Sequence, residues 1–148
     1  CAQYHLRAFS AADGRSLWQR DQASSLVGDR HGEEVQHPAI AGGIVYSNPF
    51  AYRLGTGEQI EGWVWKRDGG HGCGTLSAAA GTLFYRGANP QMRDLATQEI
   101  QALTRVSRPG CWINIVPAGG LVLIPEASSG CTCPYPLQMS LALAPAGP

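Results

Sequence analysis

The sequence predicts an all-β fold made of four-stranded antiparallel sheets, one for every 38–40 residues or so. Three observations carry this. The 148 residues include 19 Gly and 10 Pro but only 15% charged side chains, a turn-rich composition that suits many short strands. A repeat runs through the chain: "GCGTLSAAAGTLFYRG" from Gly72 is followed 38 residues later by "GCWINIVPAGGLVLIP" from Gly110. A third copy, "EEVQHPAIAGGIVYSN", lacks the Gly-Cys pair and aligns Gly42 with Gly81, a step of 39. Each copy reads as strand, small-residue turn, strand. Finally, each is preceded or followed by a second turn between strand-like flanks, in "AFSAADGRSLW", "AYRLGTGEQIEGW" and "MRDLATQEIQAL". Four short strands in about 40 residues is the period of a β-propeller blade.

In chain order, residues of about 1–21 form the outer half of one blade, followed by the polar connection "DQASSLVGDRHGEE". Two full blades occupy about 35–65 and 73–106, and three strands of another occupy about 111–143. The whole, 1–148, is one incomplete propeller domain. In the last copy the hairpin is expected to turn at Ala118-Gly119, with Pro117 facing Gly120. Its second strand, "LVLI" at 121–124, is apolar at every position, which predicts a strand covered on both faces. The segment "NPQMRDLATQEIQALTRV" also fits a helix, with Asn89 as cap, Pro90 in the first turn and Met92, Leu95, Glu99, Leu103 and Val106 near one stripe. Register with the other copies favours a hairpin.

Charge excludes some functions. The 11 basic and 11 acidic side chains cancel and no basic block exists, so no nucleic-acid partner is expected. No apolar run approaches membrane-spanning length. The chain begins at Cys1, where a lipidated mature terminus or a cut chain are the alternatives; the strand-like "CAQYHLRAF" favours a cut chain.

The second turn carries a family resemblance. "AFSAADGRSLW" is similar to the repeat of pyrroloquinoline quinone (PQQ) type propellers, Ala-x-Asp-x-x-(Thr/Asp)-Gly-(Lys/Arg/Glu)-x-x-Trp. Ala8, Asp13, Gly14, Arg15 and Trp18 match, and Ser10 replaces the first Asp. Thr56, Gly57 and Glu58 match in the next copy, with Trp63 in a similar place; in the third only Thr97 and Glu99 remain, and Gln98 replaces the glycine. The resemblance implies a propeller of the quinoprotein alcohol dehydrogenase-like superfamily, of which this chain is a C-terminal fragment. The remaining blades would come from the same full-length chain. It implies an extracytoplasmic scaffold that binds a protein or small-molecule ligand, or alternatively part of a PQQ-dependent oxidoreductase of alcohol or sugar dehydrogenase type. The second reading would require PQQ and Ca²⁺, with Trp112 as floor, Asn114 as ligand, and Glu126 and Asp94 as oxygen ligands. Against it, Trp112 also reads as blade-packing core, like Trp18, Trp63 and Trp65, and Asp94 as a solvated charge.

Five cysteines are present: Cys1, Cys73, Cys111, Cys131 and Cys133, with no Cys-x-x-Cys pair. The expected hairpin register places Cys111 and the loop "ASSGCTCPYP" at one end of a blade, and Cys73 holds the equivalent position in the preceding blade. Cys73, Cys111, Cys131 and Cys133 are therefore disulfide candidates. A strained bond within Cys131-x-Cys133 is disfavoured, so Cys111 is paired with one of them and Cys73 with the other. Such bridges imply a periplasmic or extracellular protein. A metal site using the same thiolates with His71, and free or redox-active thiols, are the competing readings. His5, His31 and His37 show no ligand spacing. Arg86, Arg105 and Arg108 lie toward the cysteine-bearing end and read as an anion site or as solvated charges.

Overall fold

A computed structural model of the chain describes residues 3–23, 37–63, 73–79, 81–112, 115–126 and 137–146. Those residues form an all-β structure without a helix, in four small antiparallel sheets. The first pairs β1 (Gln3–Phe9) with β2 (Ser16–Ala23). The second orders β3 (Ala39–Ala41), β4 (Ile44–Ser47) and β5 (Phe50–Arg53), and a Tyr52–Gln59 bridge marks a rudimentary fourth strand. The third is a four-stranded meander of β6 (Ser77–Ala79), β7 (Thr82–Gly87), β8 (Asn89–Asp94) and β9 (Ile100–Ala102). The fourth joins β10 (Val116–Ala118), β11 (Leu121–Ile124) and β12 (Leu141–Leu143). The segment that also fitted a helix is the β8–β9 hairpin, because Gln98 takes a positive φ of 66° and breaks any helical run.

The first hairpins of the second and fourth sheets each close on two glycines. Gly42-Gly43 and Gly119-Gly120 hold positive φ at both positions, the geometry that matches strand twist. The last hairpin therefore turns one residue later than expected: Pro117 faces Val122 and not Gly120. The small-residue run permits either position, and the double glycine decides it.

Strand alternation builds three core clusters, each filling the space between consecutive sheets. Trp18 packs with Val45 and Tyr52 between the first and second sheets. On the opposite face of β4 and β5, Tyr46 and Ala51 pack with Leu83 and Tyr85 of β7. Phe84, on the other face of β7, packs with Ile115 and Ile124. The middle sheets are thus covered on both sides, which explains their unbroken apolar strands. In the fourth sheet Ile124 is fully buried and Leu121 is 39% exposed. Among the described residues, the face of β11 that carries Val122 and Ile124 packs against the third sheet.

The second turns are the most regular feature. Ser10, Arg53 and Asp94 each donate a backbone hydrogen bond to the carbonyl five residues on, at Arg15, Glu58 and Glu99 (2.8–3.0 Å). Their own carbonyls accept from the amides of Gly14, Gly57 and Gln98. Asp13, Thr56 and Thr97 then use side-chain oxygens to accept from the amide two residues later (3.2–3.3 Å). This is the motif that carried the resemblance, and its three copies share one hydrogen-bonded form. The Trp18 indole joins the first sheet to the second turn, donating to the Leu54 carbonyl at 2.7 Å, while Arg20 Nε donates to the Gly57 carbonyl at 2.7 Å.

Candidate functional site

The most concentrated chemistry lies where β7 ends and the loop after β9 returns. Arg86 is the penultimate residue of β7, opposite Pro90 of β8. Its side chain is fully buried, and its Nε reaches the Ala88 carbonyl at 3.4 Å. The loop 103–112 brings in Arg108, which is 4% exposed. An isolated bridge between Ser107 and Leu137 ties that loop to the segment ahead of β12, and Ser107 and Pro109 are themselves buried. Both guanidinium groups point at one sulfur: Arg108 Nη1 lies 3.4 Å and Arg86 Nη1 3.8 Å from Cys111 Sγ.

The electrostatic result follows from opposing effects. Partial burial pushes the Cys111 thiol up, but the hydrogen bond and charge of Arg108, reinforced by the charge and hydrogen bond of Arg86, outweigh it and hold the thiol below its ordinary range. Cys111 is half-buried, so its sulfur is both polarised and reachable.

The structure sorts the sequence candidates. Arg86 and Arg108 are not solvated charges but buried ones aimed at Cys111, whereas Arg105 is exposed. The spacing Arg-Pro-Gly-Cys at 108–111 was the signal that could have joined arginine to cysteine; the fold adds Arg86 from a strand 25 residues away. Cys73 is buried, and no disulfide joins it to Cys111. Both precede the first strands of consecutive sheets, and the Ser77 hydroxyl donates to the Ile115 carbonyl at 2.7 Å between those two approaches. Cys1, Cys131, Cys133, His71, Asn114 and Trp65 lie outside the described residues.

Of the residues expected around PQQ and Ca²⁺, Trp112, Asp94 and Glu126 are described. Trp112 is 58% exposed. Asp94 is committed to its own turn, accepting from the amides of Thr97 (2.7 Å) and Ala96 (2.8 Å), which hold its carboxyl below the usual range. Glu126 is exposed, and its amide donates to the Ser140 hydroxyl. Among the described residues no three of His, Cys, Asp or Glu gather into a metal-binding group, and no helix is long and apolar enough to cross a membrane.

A second feature is an apolar cleft of about 590 Å³ between the third and fourth sheets, lined by Phe84, Met92, Leu103, Pro117, Val122 and Leu143. No protein-family model and no curated protein matches the chain.

Proposed function

We propose that this chain is part of an extracytoplasmic β-propeller with PQQ-like repeats, and that it serves as a rigid scaffold for binding a protein or a small-molecule ligand. One observation carries the reading: the residues that resemble the PQQ-type repeat are the ones that join one sheet to the next. Trp18 of the first copy lies over Gly57 of the second, where an added Cβ would meet the indole at 2.5 Å. A repeat motif that docks on its neighbouring copy propagates a stack of sheets. The first strands of consecutive sheets also touch, β3 on β6 and β6 on β10, as strands around a common hub would. The cleft between the third and fourth sheets has the volume of a small-molecule site, which is typically about 300–1,000 Å³. Further blades are supplied by the same full-length protein.

The test is a titration of the full-length protein with PQQ in the presence of Ca²⁺, followed by absorbance and by oxidation of a primary alcohol. The scaffold reading expects neither saturable quinone binding nor turnover. Both together would replace it with the quinoprotein oxidoreductase reading.

A further inference from the structure

We propose that Cys111 is a peroxide-reactive thiol, set between the buried guanidinium groups of Arg86 and Arg108, and that its product is a sulfenic acid. Two buried guanidinium groups arrive from separate segments, a strand and a loop, and converge on one sulfur within 3.4 and 3.8 Å. Among the described residues these are the charged groups that act on the sulfur, and both are cationic. Cys73, by contrast, is a buried cysteine, whereas Cys111 keeps part of its surface open to solvent. Redox-sensitive cysteines combine thiolate character with exposure, and only Cys111 of these two has both.

The step balances with a hydroperoxide as oxidant. A sulfur lone pair of the Cys111 thiolate attacks one peroxide oxygen; the S–O bond forms as the O–O bond breaks. Sulfur is oxidised and the peroxide reduced by the same electron pair. The departing hydroxide, or alkoxide from an organic peroxide, takes a proton and leaves as water or alcohol. The Nη1 groups of Arg108 and Arg86 stand where they can donate to the departing oxygen and then to the sulfenate.

This chemistry and the disulfide expected for Cys111 from the sequence exclude each other in the resting protein, so the test separates them. The full chain is treated with hydrogen peroxide and a dimedone-type trap, then digested and mapped by mass spectrometry; alkylation by iodoacetamide is followed across pH in parallel. At pH 7, Cys111 should be modified about threefold to tenfold faster in the folded chain than in the same chain unfolded in urea, after allowing for the lower intrinsic nucleophilicity of an acidic thiol. R108Q should remove most of that excess and R108K should retain part of it, while R105Q, at an exposed position, should leave it unchanged. Because the folded-against-unfolded comparison uses the unmutated chain, it stands even if R108Q misfolds. The proposal is overturned if Cys111 reacts no faster when folded, if R108Q leaves its rate unchanged in a folded protein, or if Cys111 of the purified protein is already bridged.

Discussion

The turns at Gly57 and Gln98 share a backbone and differ in everything that touches it. Both hold the same residue in the left-handed region, with φ of 66° in each. Gly57 is buried under Trp18, and both steric space and backbone conformation demand glycine. Gln98 is exposed, and its side chain works for the turn: its amide nitrogen donates to the Leu95 carbonyl at 2.7 Å, and its oxygen accepts from Arg93 at 2.6 Å. Arg93 in turn lies 4.7 Å from the ring centre of Trp63. One junction between sheets is made by an indole laid directly on a glycine. The next is made by an indole that reaches its turn through an arginine. Trp63 pairs edge-on with Tyr46 at 5.1 Å, and its ring nitrogen has no hydrogen-bond partner among the described residues. Degeneration of the motif from Gly to Gln therefore follows from the loss of cover, not from a different turn.

The largest effect that separates the two junctions comes from removing the indoles. Trp18→Ala should cost about 3–5 kcal/mol in urea unfolding, as for a buried aromatic, and Trp63→Ala, which is only half-buried, clearly less. Equal losses would mean that the Arg93 relay docks the sheets as firmly as the direct contact does. Gly57→Ala comes next, at about 2–4 kcal/mol, because the new methyl strikes a rigid ring as well as straining φ. In a Trp18→Ala background the clash is gone and only the backbone strain, about 1 kcal/mol, should remain. Additive losses in the double mutant would sink the claim that the indole is what makes position 57 glycine.

How much of this was legible in the sequence depends on the range of the interaction. The repeat, the hairpins and the second turns are local, so glycine spacing and the Asp/Thr-Gly pattern revealed them. They even resolved 92–106 as a hairpin, although its apolar spacing also suits a helix. The Gly119-Gly120 turn was misplaced by one residue because neighbouring small residues allow both positions. For "LVLI", the apolar run predicts packing, and the face with Val122 and Ile124 shows it against the third sheet. Trp112 reads as core or cofactor floor from its place at the start of an inner strand, and its side chain is 58% exposed. Arg86 and Arg108 are placed by the sequence at the cysteine-bearing end, but their burial against Cys111 was not legible. An arginine reads as solvated unless the fold buries it, and only the return of the loop after β9 onto the end of β7 does so.

Smaller effects probe the Gln98 turn itself. Gln98→Ala keeps the strained φ and removes both side-chain hydrogen bonds, so it should destabilise by about 1 kcal/mol. Gln98→Gly removes the same bonds but relieves φ, and should fall within about 0.5 kcal/mol of the parent. The ranking by chemical denaturation is the check: if glycine were as harmful as alanine, the side-chain bonds alone would hold this turn.

The smallest expected difference is in acid. The Gln98 turn contains Asp94, whose carboxylate is held below its ordinary range by hydrogen bonds from the amides of Thr97 and Ala96. Asp13 in the first turn is lowered by the Ser10 hydroxyl and the Arg15 amide. The Gly57 turn carries Arg53 and Thr56 at the matching positions; its carboxylate, Glu58, pairs with Arg53 at 3.2 Å and, among the described residues, accepts no hydrogen bond from a turn amide. A carboxyl depressed in the folded state contributes stability that is complete above its unfolded value of roughly 3.9 and is lost as pH falls through the folded value. The first and third turns should therefore loosen below about pH 4 while the second does not. Followed by NMR, the Thr97 and Ala96 amide shifts should titrate with a midpoint under that of an unfolded aspartate, and Asp94→Asn should abolish the transition at Thr97. A Thr97 midpoint at the ordinary carboxylate value would mean that Asp94 does not hold its turn, leaving Gln98 strained with nothing but its own side chain to keep it there.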